Sequence, residues 1–291
     1  MKQKEHIADR SVLFSVFSLL RYKKIRKAGL FCLGTALRDF FGLQYKQKLL
    51  PMTPVYQVDH PLDNEIPFKP EQVDIYLDFV YFWIRSAAFL MERFGKDAEE
   101  EVASFIYCMG RLYSFAAEVY RKGFSTTKRP RYYKRLRFII IHLFDPHLMC
   151  IPSLHVMVVC RTYTAFRAMV ERLNAKEELA PYIDELIAGA VSITESILYV
   201  KQHSINCIPA AFYALSAFDS ALFPPEEMQR FSERLFLGAA DIETEQKKAI
   251  LDHIYTLYNQ FIDEGRKTDH WEEVLLSFLK TKPLAAHKNL A

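Results

Sequence analysis

The chain is short of glycine and has no paired cysteines. Nine glycines in 291 residues, together with long periodic stretches, favour an all-helical chain over a β-sandwich or an α/β fold. The five cysteines are odd in number, scattered and without CxxC spacing, which is typical of reduced thiols in a cytosolic protein and argues against a disulfide framework or a zinc knot. They are Cys32, Cys108, Cys150, Cys160 and Cys207.

Strong charge and a secretory leader are also missing. The net charge of +3 is too small to indicate a nucleic-acid partner. Acidic residues interrupt the start of the chain, and no small-residue cleavage site follows the short apolar run, so no signal peptide is predicted. The N-terminal segment with its basic residues 21–27 suits an amphipathic helix on an anionic membrane surface. A helix docked on the core with a solvated basic end fits equally well.

Long uninterrupted apolar runs are absent too. Residues 138–160 and 202–218 approach the ~20 residues needed to span a bilayer, but His, Asp, Asn, Gln or Pro interrupts each of them. A charge at mid-bilayer costs at least about 2.5 kcal/mol, and the mean hydropathy is −0.04. We therefore expect a cytoplasmic protein, either soluble or peripheral on, and at most partly embedded in, a membrane.

What is present is helical periodicity around one proline-rich interruption. In the C-terminal part, Ile250, Ile254, Leu257 and Phe261 recur at helical spacing, which predicts a packing stripe. The predicted organisation is N-terminal helices (1–49), an extended proline-rich linker (50–71), a central helical bundle (72–220) and C-terminal amphipathic helices (221–291).

Three short motifs follow one another in the central part. Each has an ordinary explanation by itself: the basic segment 121–137 as a solvated charge run, and the two histidines as core residues. The motifs are Lys122 followed after six residues by Arg129-Pro130, then Pro152-Ser153-Leu154-His155, then Ser196 with His203 seven positions later.

In this order and spacing the motifs resemble the type 2 phosphatidic acid phosphatase and vanadium haloperoxidase superfamily, whose pattern is KxxxxxxRP, PSGH and SRxxxxxHxxxD. The resemblance covers about residues 105–215. It implies an all-α bundle of that type, with the catalytic bundle at 72–220. It also implies that His203 is the nucleophile, forming a phosphohistidine, and that His155 is the acid.

The chemistry of phosphoryl transfer suits these residue types independently. Charge on the transferring group is stabilised by positioned cations, which Lys122 and Arg129 would supply. Pro130 would stiffen the loop behind Arg129. Ser153 would donate its hydroxyl beside the backbone N–H groups at the start of the next helix. Eight cations in seventeen residues of the segment 121–137 would repel one another without an anion nearby.

The chain departs from the family pattern at three positions. Leu154 replaces the family glycine, and PSLH also resembles the inositol phosphorylceramide synthases, which are transferases. Ile197 replaces the arginine after Ser196; Lys201, one turn on, would either supply that charge or face solvent. Cys207 replaces the aspartate that orients the nucleophile.

The loss of that aspartate leaves three outcomes. In the analogous serine-protease triad, removing the carboxylate costs about 10⁴ in rate. Either another acid, such as Glu195 or Asp145, holds His203, or activity is low, or the site is a relic that binds anions without turnover.

We therefore expect a metal-independent phosphatase acting on a phosphomonoester, in particular a lipid phosphate. The alternatives are transfer of a phospho-headgroup to a lipid alcohol and non-catalytic binding of an anion or lipid. No cofactor is expected, and vanadate would enter only as a phosphate mimic. A metal cluster of His142, Asp145, His147 and His155 matches no standard spacing. Expected partners are a phosphorylated small molecule or lipid and a peripheral membrane surface, not nucleic acid.

Overall fold

A computed structural model describes residues 6–285, and α-helices account for most of them. Two short strands, β1 (Val55–Gln57) and β2 (Phe124–Thr126), accompany the helices, and a π-helical turn (Leu37–Gly42) joins α2 to α3. The helices are α1 (Val12–Leu19), α2 (Lys23–Ala36), α3 (Leu43–Leu49), α4 (Val73–Leu77), α5 (Phe79–Phe94), α6 (Glu99–Tyr120), α7 (Leu136–Phe144), α8 (Leu154–Arg172), α9 (Lys176–Tyr199), α10 (Cys207–Phe218), α11 (Pro225–Ser232), α12 (Thr244–Gly265) and α13 (Trp271–Lys280).

Helix α8 is the central element of the core. Apolar side chains cover most of its circumference, and Val156, Met157, Val159 and Phe166 are inaccessible to solvent. It packs against α5, α6, α9 and α10, as expected of a helix that is apolar all round. The N-terminal end of this buried helix carries His155.

Strand β2 brings the basic segment beside the start of α8. It pairs in parallel with β1, with Tyr56 opposite Ser125, and on its other side Ser125 bridges to Met149. The Ser125 hydroxyl also accepts a hydrogen bond from the Ile151 N–H. Because β2 ends at Thr126, the residues from Thr127 to Arg129 emerge next to the PSLH motif.

The proline-rich segment 50–71, which we expected to be an extended linker, packs against the core. It is extended at β1, but Val55, Val58 and Ile66 are buried in the core. Unsatisfied backbone groups are costly when buried, and β1 satisfies its own by pairing with β2. The segment therefore contributes to the wall of the site.

The all-α prediction is confirmed at the level of fold class. The predicted stripe Ile250, Ile254, Leu257 and Phe261 is buried along α12. The two strands and the separate helix α7 were not predicted. Across residues 6–285 no helix is both long enough and apolar enough to cross a bilayer.

Candidate functional site

The two predicted catalytic histidines lie side by side. His155 is the second residue of α8, and His203 lies in the loop between α9 and α10. Their ring centroids are 5.2 Å apart and their planes are inclined at 70°. The fold therefore brings together the two histidines that the motifs single out.

The end of α9 positions His203. The N–H groups of Lys201 and Gln202 donate to the carbonyls of Leu198 and Ile197 respectively, which is the Schellman pattern of a helix C-terminus. Lys201 occupies the left-handed position of that turn, with φ of 54°, where glycine is usual. This turn reverses the chain and directs His203 back toward α8.

The Lys201 ammonium is bound by the protein itself. It donates to the backbone carbonyls of Asp63 and Ile66, and burial lowers the pKa of Lys201, partly opposed by the Asp63 carboxylate. We predicted a phosphate ligand at this position. In the structure the amine ties the segment 63–66 to the loop that carries His203, and the Lys201 side chain lines the cleft beside His203.

Aromatic rings enclose His155. Tyr76 stacks on its imidazole at 4.4 Å, and Phe79 lies 4.0 Å from it on α5. Burial lowers the pKa of His155 well below its usual value, and the neighbouring His203 acts in the same direction. In the free protein His155 is therefore neutral at pH 7.

His203 is buried and only 7% exposed. Burial lowers its pKa to about 4, with the backbone of Cys150 acting in the opposite direction. Its Nδ1 is inaccessible, and no atom of residues 6–285 forms a hydrogen bond with it. This orphaned nitrogen is the expected consequence of a missing acidic partner, because buried polar atoms are normally paired.

None of the three residues considered as that partner bonds to His203 Nδ1. The thiol of Cys207 neighbours that of Cys150, and burial is the main cause of its strongly raised pKa. Glu195 accepts a hydrogen bond of 2.5 Å from the Phe236 N–H. Asp145 accepts from the His147 N–H at 3.0 Å. The imidazole of His203 is therefore oriented by packing and by its backbone.

Arg129, a predicted phosphate ligand, is linked by a hydrogen bond to the loop that carries His203. Its Nη1 donates to Oε1 of Gln202, the residue before His203, at 3.2 Å. Its Nη2 donates to the Asp145 carbonyl at 3.2 Å. The side chain is 18% exposed, so its charge acts in a partly desolvated environment. Pro130 follows it and lines the same cleft.

Lys122 is placed differently. Its ammonium lies 3.0 Å from Oε1 of Glu272 on α13, and this hydrogen bond and the Glu272 charge raise the Lys122 pKa. Lys122 lines neither of the clefts described below. The structure therefore does not bring Lys122 together with Arg129 and the two histidines.

The two predicted serines have separate roles. The Ser153 hydroxyl is fully buried at the N-cap of α8 and has no hydrogen-bond partner among the described residues. It remains available to an anion at the helix N-terminus. The Ser196 hydroxyl donates to the Ile193 carbonyl at 2.7 Å, so it is satisfied inside α9 and supports the helix.

Two further residues of the site were not predicted to bind phosphate or to catalyse, and His147 was considered only as a metal ligand. His147 has its ring 6.5 Å from that of His203 and a left-handed backbone with φ of 59°, a feature often found at functional sites. Its Nε2 lies 2.8 Å from the Thr127 hydroxyl. Gln202 is fully buried and joins Arg129 to the histidine loop. The sequence around His147 and Gln202 does not indicate the contact of His147 with Thr127 or that of Gln202 with Arg129.

Two clefts open beside His203 and Arg129. One, of about 330 Å³, is lined by His203, Lys201, Lys128, Asp59 and Asp63. The other, of about 390 Å³, is lined by Arg129, Arg131, Lys128, His142 and His147. Lys128 and Thr127 border both clefts, so the basic loop separates them. An anion in either cleft would meet at least one cation and one histidine.

Comparison with models of known protein families, with curated proteins and with solved structures finds no match. Within residues 6–285, no group of three or more His, Cys, Asp or Glu side chains is arranged to hold a metal ion.

Proposed function

We propose that this protein is a phosphatase that hydrolyses a phosphomonoester, in particular a lipid phosphate, through a phosphohistidine. The observation that carries the proposal is the pair of imidazoles with centroids 5.2 Å apart. Arg129 is linked to this pair through its hydrogen bond to Gln202, the residue before His203. A neutral imidazole can attack phosphorus, and a second one can carry the proton of the leaving group.

In the first step a ring nitrogen of His203 attacks phosphorus and the P–O bond to the alcohol breaks. Nε2 is the nitrogen suited to this, because Nδ1 is completely enclosed. His155 gives its proton to the leaving alkoxide. In the second step water attacks the phosphohistidine, His155 takes the proton of that water, and phosphate leaves.

Arg129 is the cation that we assign to the phosphate. A guanidinium presents a planar fork to two phosphate oxygens. Its present hydrogen-bond partners are an amide oxygen and a backbone carbonyl, which are weaker acceptors than a phosphate dianion, and the Asp145 carboxylate lies 3.8 Å away. Lys128 at the junction of the two clefts would add a second charge. The dianion would also raise the pKa of His155 and so favour its protonated form.

The test is phosphate release from p-nitrophenyl phosphate and short-chain phosphatidic acid in the presence of EDTA. We expect turnover by the wild type and its loss in His203→Ala and in His155→Ala. His270→Ala is the matched control, because that side chain is exposed near Glu272. Intact-mass analysis after an alkaline quench should detect a phosphoenzyme. Turnover that survives His203→Ala contradicts the proposal.

A second candidate is anion binding without turnover. It is favoured by the unpartnered Nδ1 of His203 and by the engagement of Lys122 with Glu272. It predicts phosphate or vanadate binding that depends on Arg129, with no phosphate release from any substrate in the panel.

A further inference from the structure

Helix α2, the π-helical turn and α3 form one continuous helical rod over residues 23–49, about 40 Å long at 1.5 Å per residue. Large apolar side chains recur along its solvent side at intervals of three or four residues, with one longer gap. They are Leu30, Leu33, Leu37, Phe41 and Leu49. Leu30 is 70% and Leu49 is 78% exposed.

The inner side of the rod changes character along its length. In α2 it is mainly apolar, with Ile25 and Ala28 buried, whereas Asp39 and Gln44 farther along are polar and nearly inaccessible. Asp39 accepts from Arg121 and Ser114, and burial of the carboxylate is compensated by these bonds. An amphipathic surface helix normally has one apolar side, which faces the core. This rod carries a further apolar stripe on its solvent side, which indicates that something apolar covers it.

Two other helices also expose apolar side chains. In α1 the serines Ser15 and Ser18 are buried. The exposed residues of α1 are Leu13, Phe14, Phe17 and Leu20. In α7 the exposed residues fall on one helical face. They are Leu136, Ile140 and Leu143. We call the exposed apolar residues of α1, the rod and α7 the apolar face.

The loop that follows α7 meets the rod beside the histidine pair. Gln44 of α3 accepts a hydrogen bond of 3.2 Å from the N–H of Leu148, shortly after α7 ends. A small cavity of about 20 Å³ at this junction is lined by Phe40 and Gln44 of the rod together with His155 and His203. The inner side of the rod therefore borders the candidate site.

The segments that carry the apolar face are themselves basic, although Lys24 pairs with Glu100 and Arg137 with Asp74. Residues 11–50 contain eight Lys and Arg and a single acid, the buried Asp39, and residues 127–144 contain six Lys and Arg and no acid. A second copy of this chain across a two-fold axis would place cations against cations. Anionic headgroups beside an acyl-chain region complement both the charge and the apolar side chains.

We propose that α1, the rod and α7 form a surface that lies flat on an anionic lipid bilayer, with the apolar face inserted at the boundary between headgroups and acyl chains. The proposal goes beyond the proposed function, because vesicle binding requires no turnover. It also places the clefts beside the plane in which a lipid phosphate would be presented.

The experiment is sedimentation of the full-length chain with vesicles of phosphatidylcholine alone or of equal parts phosphatidylcholine and phosphatidylserine. One variant combines Leu33→Glu with Leu37→Glu, and another replaces Lys23, Lys27, Lys46 and Lys48 by Gln. All six side chains are exposed, so the fold should persist, and thermal melting checks this. Matched controls are Leu237→Glu, since Leu237 is 78% exposed elsewhere, and Lys248→Gln with Lys267→Gln.

We expect binding that needs phosphatidylserine and weakens with salt. The double Glu variant should bind at least tenfold more weakly, and each lysine removed should cost roughly fivefold, while the controls bind like the wild type. Light scattering without lipid should give a monomer. A wild type that stays in solution with both vesicles, or binding indifferent to the variants, overturns the proposal. A stable dimer that Leu33→Glu and Leu37→Glu dissociate, without vesicle binding, identifies a self-association surface instead.

Discussion

The imidazoles of His155 and His203 meet at 5.2 Å between centroids, and burial keeps both neutral at pH 7. In the proposed mechanism a neutral His203 is ready to attack, but a neutral His155 does not supply the proton that the leaving group needs. The site as it stands in the free protein therefore favours the nucleophile over the acid. A bound phosphate dianion would raise the pKa of His155 and favour its charged form, since a nearby negative charge raises the pKa of an imidazole.

The pH dependence of kcat/KM should reflect this imbalance. Attack needs neutral His203, so activity should appear as pH rises through about 4, the pKa of His203. Proton donation needs charged His155, so activity should be lost as pH rises through its pKa, which lies well below 6.5. We expect a maximum on the acid side of pH 6.5 with p-nitrophenyl phosphate. A maximum in the alkaline range would contradict the assigned roles.

Acid should weaken the fold through the same histidines. The pKa of His203 is about 4 when folded and about 6.5 when unfolded, so the unfolded chain binds the extra proton between these values. The stability that depends on neutral His203 is fully present above pH 6.5 and is lost as pH falls toward 4. His203 should contribute a loss of about 2 kcal/mol in the free energy of unfolding between pH 7 and pH 5.

Urea denaturation at the two pH values measures that loss. His203→Gln cannot titrate, so its stability should change less between the same two pH values. Equal changes in the variant and the wild type would show that His203 is not the group responsible.

Arg129 and Lys122 should differ in phosphate binding, although both belong to one motif. Arg129→Gln should weaken phosphate or vanadate binding at least tenfold, because a charge-assisted bond to an anion contributes about 1.5–3 kcal/mol. Lys122→Gln should leave the affinity nearly unchanged, because that ammonium is paired with Glu272. Calorimetric titration measures both. A larger loss in Lys122→Gln would show that Lys122 swings into the site.

Lys201 should matter for structure more than for charge. Lys201→Gln removes the ammonium that holds the carbonyls of Asp63 and Ile66. We expect faster proteolysis or hydrogen exchange of the segment 61–66 in the variant. We also expect a higher KM, and adding salt to the wild type, which screens charges, should not produce the same increase. A variant with normal exchange but weaker phosphate binding would restore Lys201 as a direct ligand.

Gly110 sets the distance between α2 and α6. A Cβ at this position would lie 2.8 Å from the Phe31 ring and 3.0 Å from Cys32 Cα. Gly110→Ala should therefore destabilise the protein by about 1–3 kcal/mol. Gly34→Ala is the matched control, because nothing lies within 4 Å of a Cβ there. It should stabilise the helix by roughly 0.5–1 kcal/mol, and chemical denaturation compares the two. A Gly110→Ala variant as stable as the wild type would mean that α2 moves freely.

The sequence by itself determined the helical class and the start of α8. These follow from local rules: apolar periodicity sets a helix, and the PSLH motif opens α8. The buried stripe of α12 was predictable for the same reason.

Only the tertiary structure decided what each charged or polar group does. Eight cations of the segment 121–137 are equivalent in sequence, yet Glu272 on α13 selects Lys122, and Gln202 and Asp145 select Arg129. The Schellman turn, not electrostatic attraction to an anion, fixes Lys201. Which face of the rod is buried was also undecided, because an amphipathic pattern specifies two faces and only the packing partner, here α6, specifies which one faces inward.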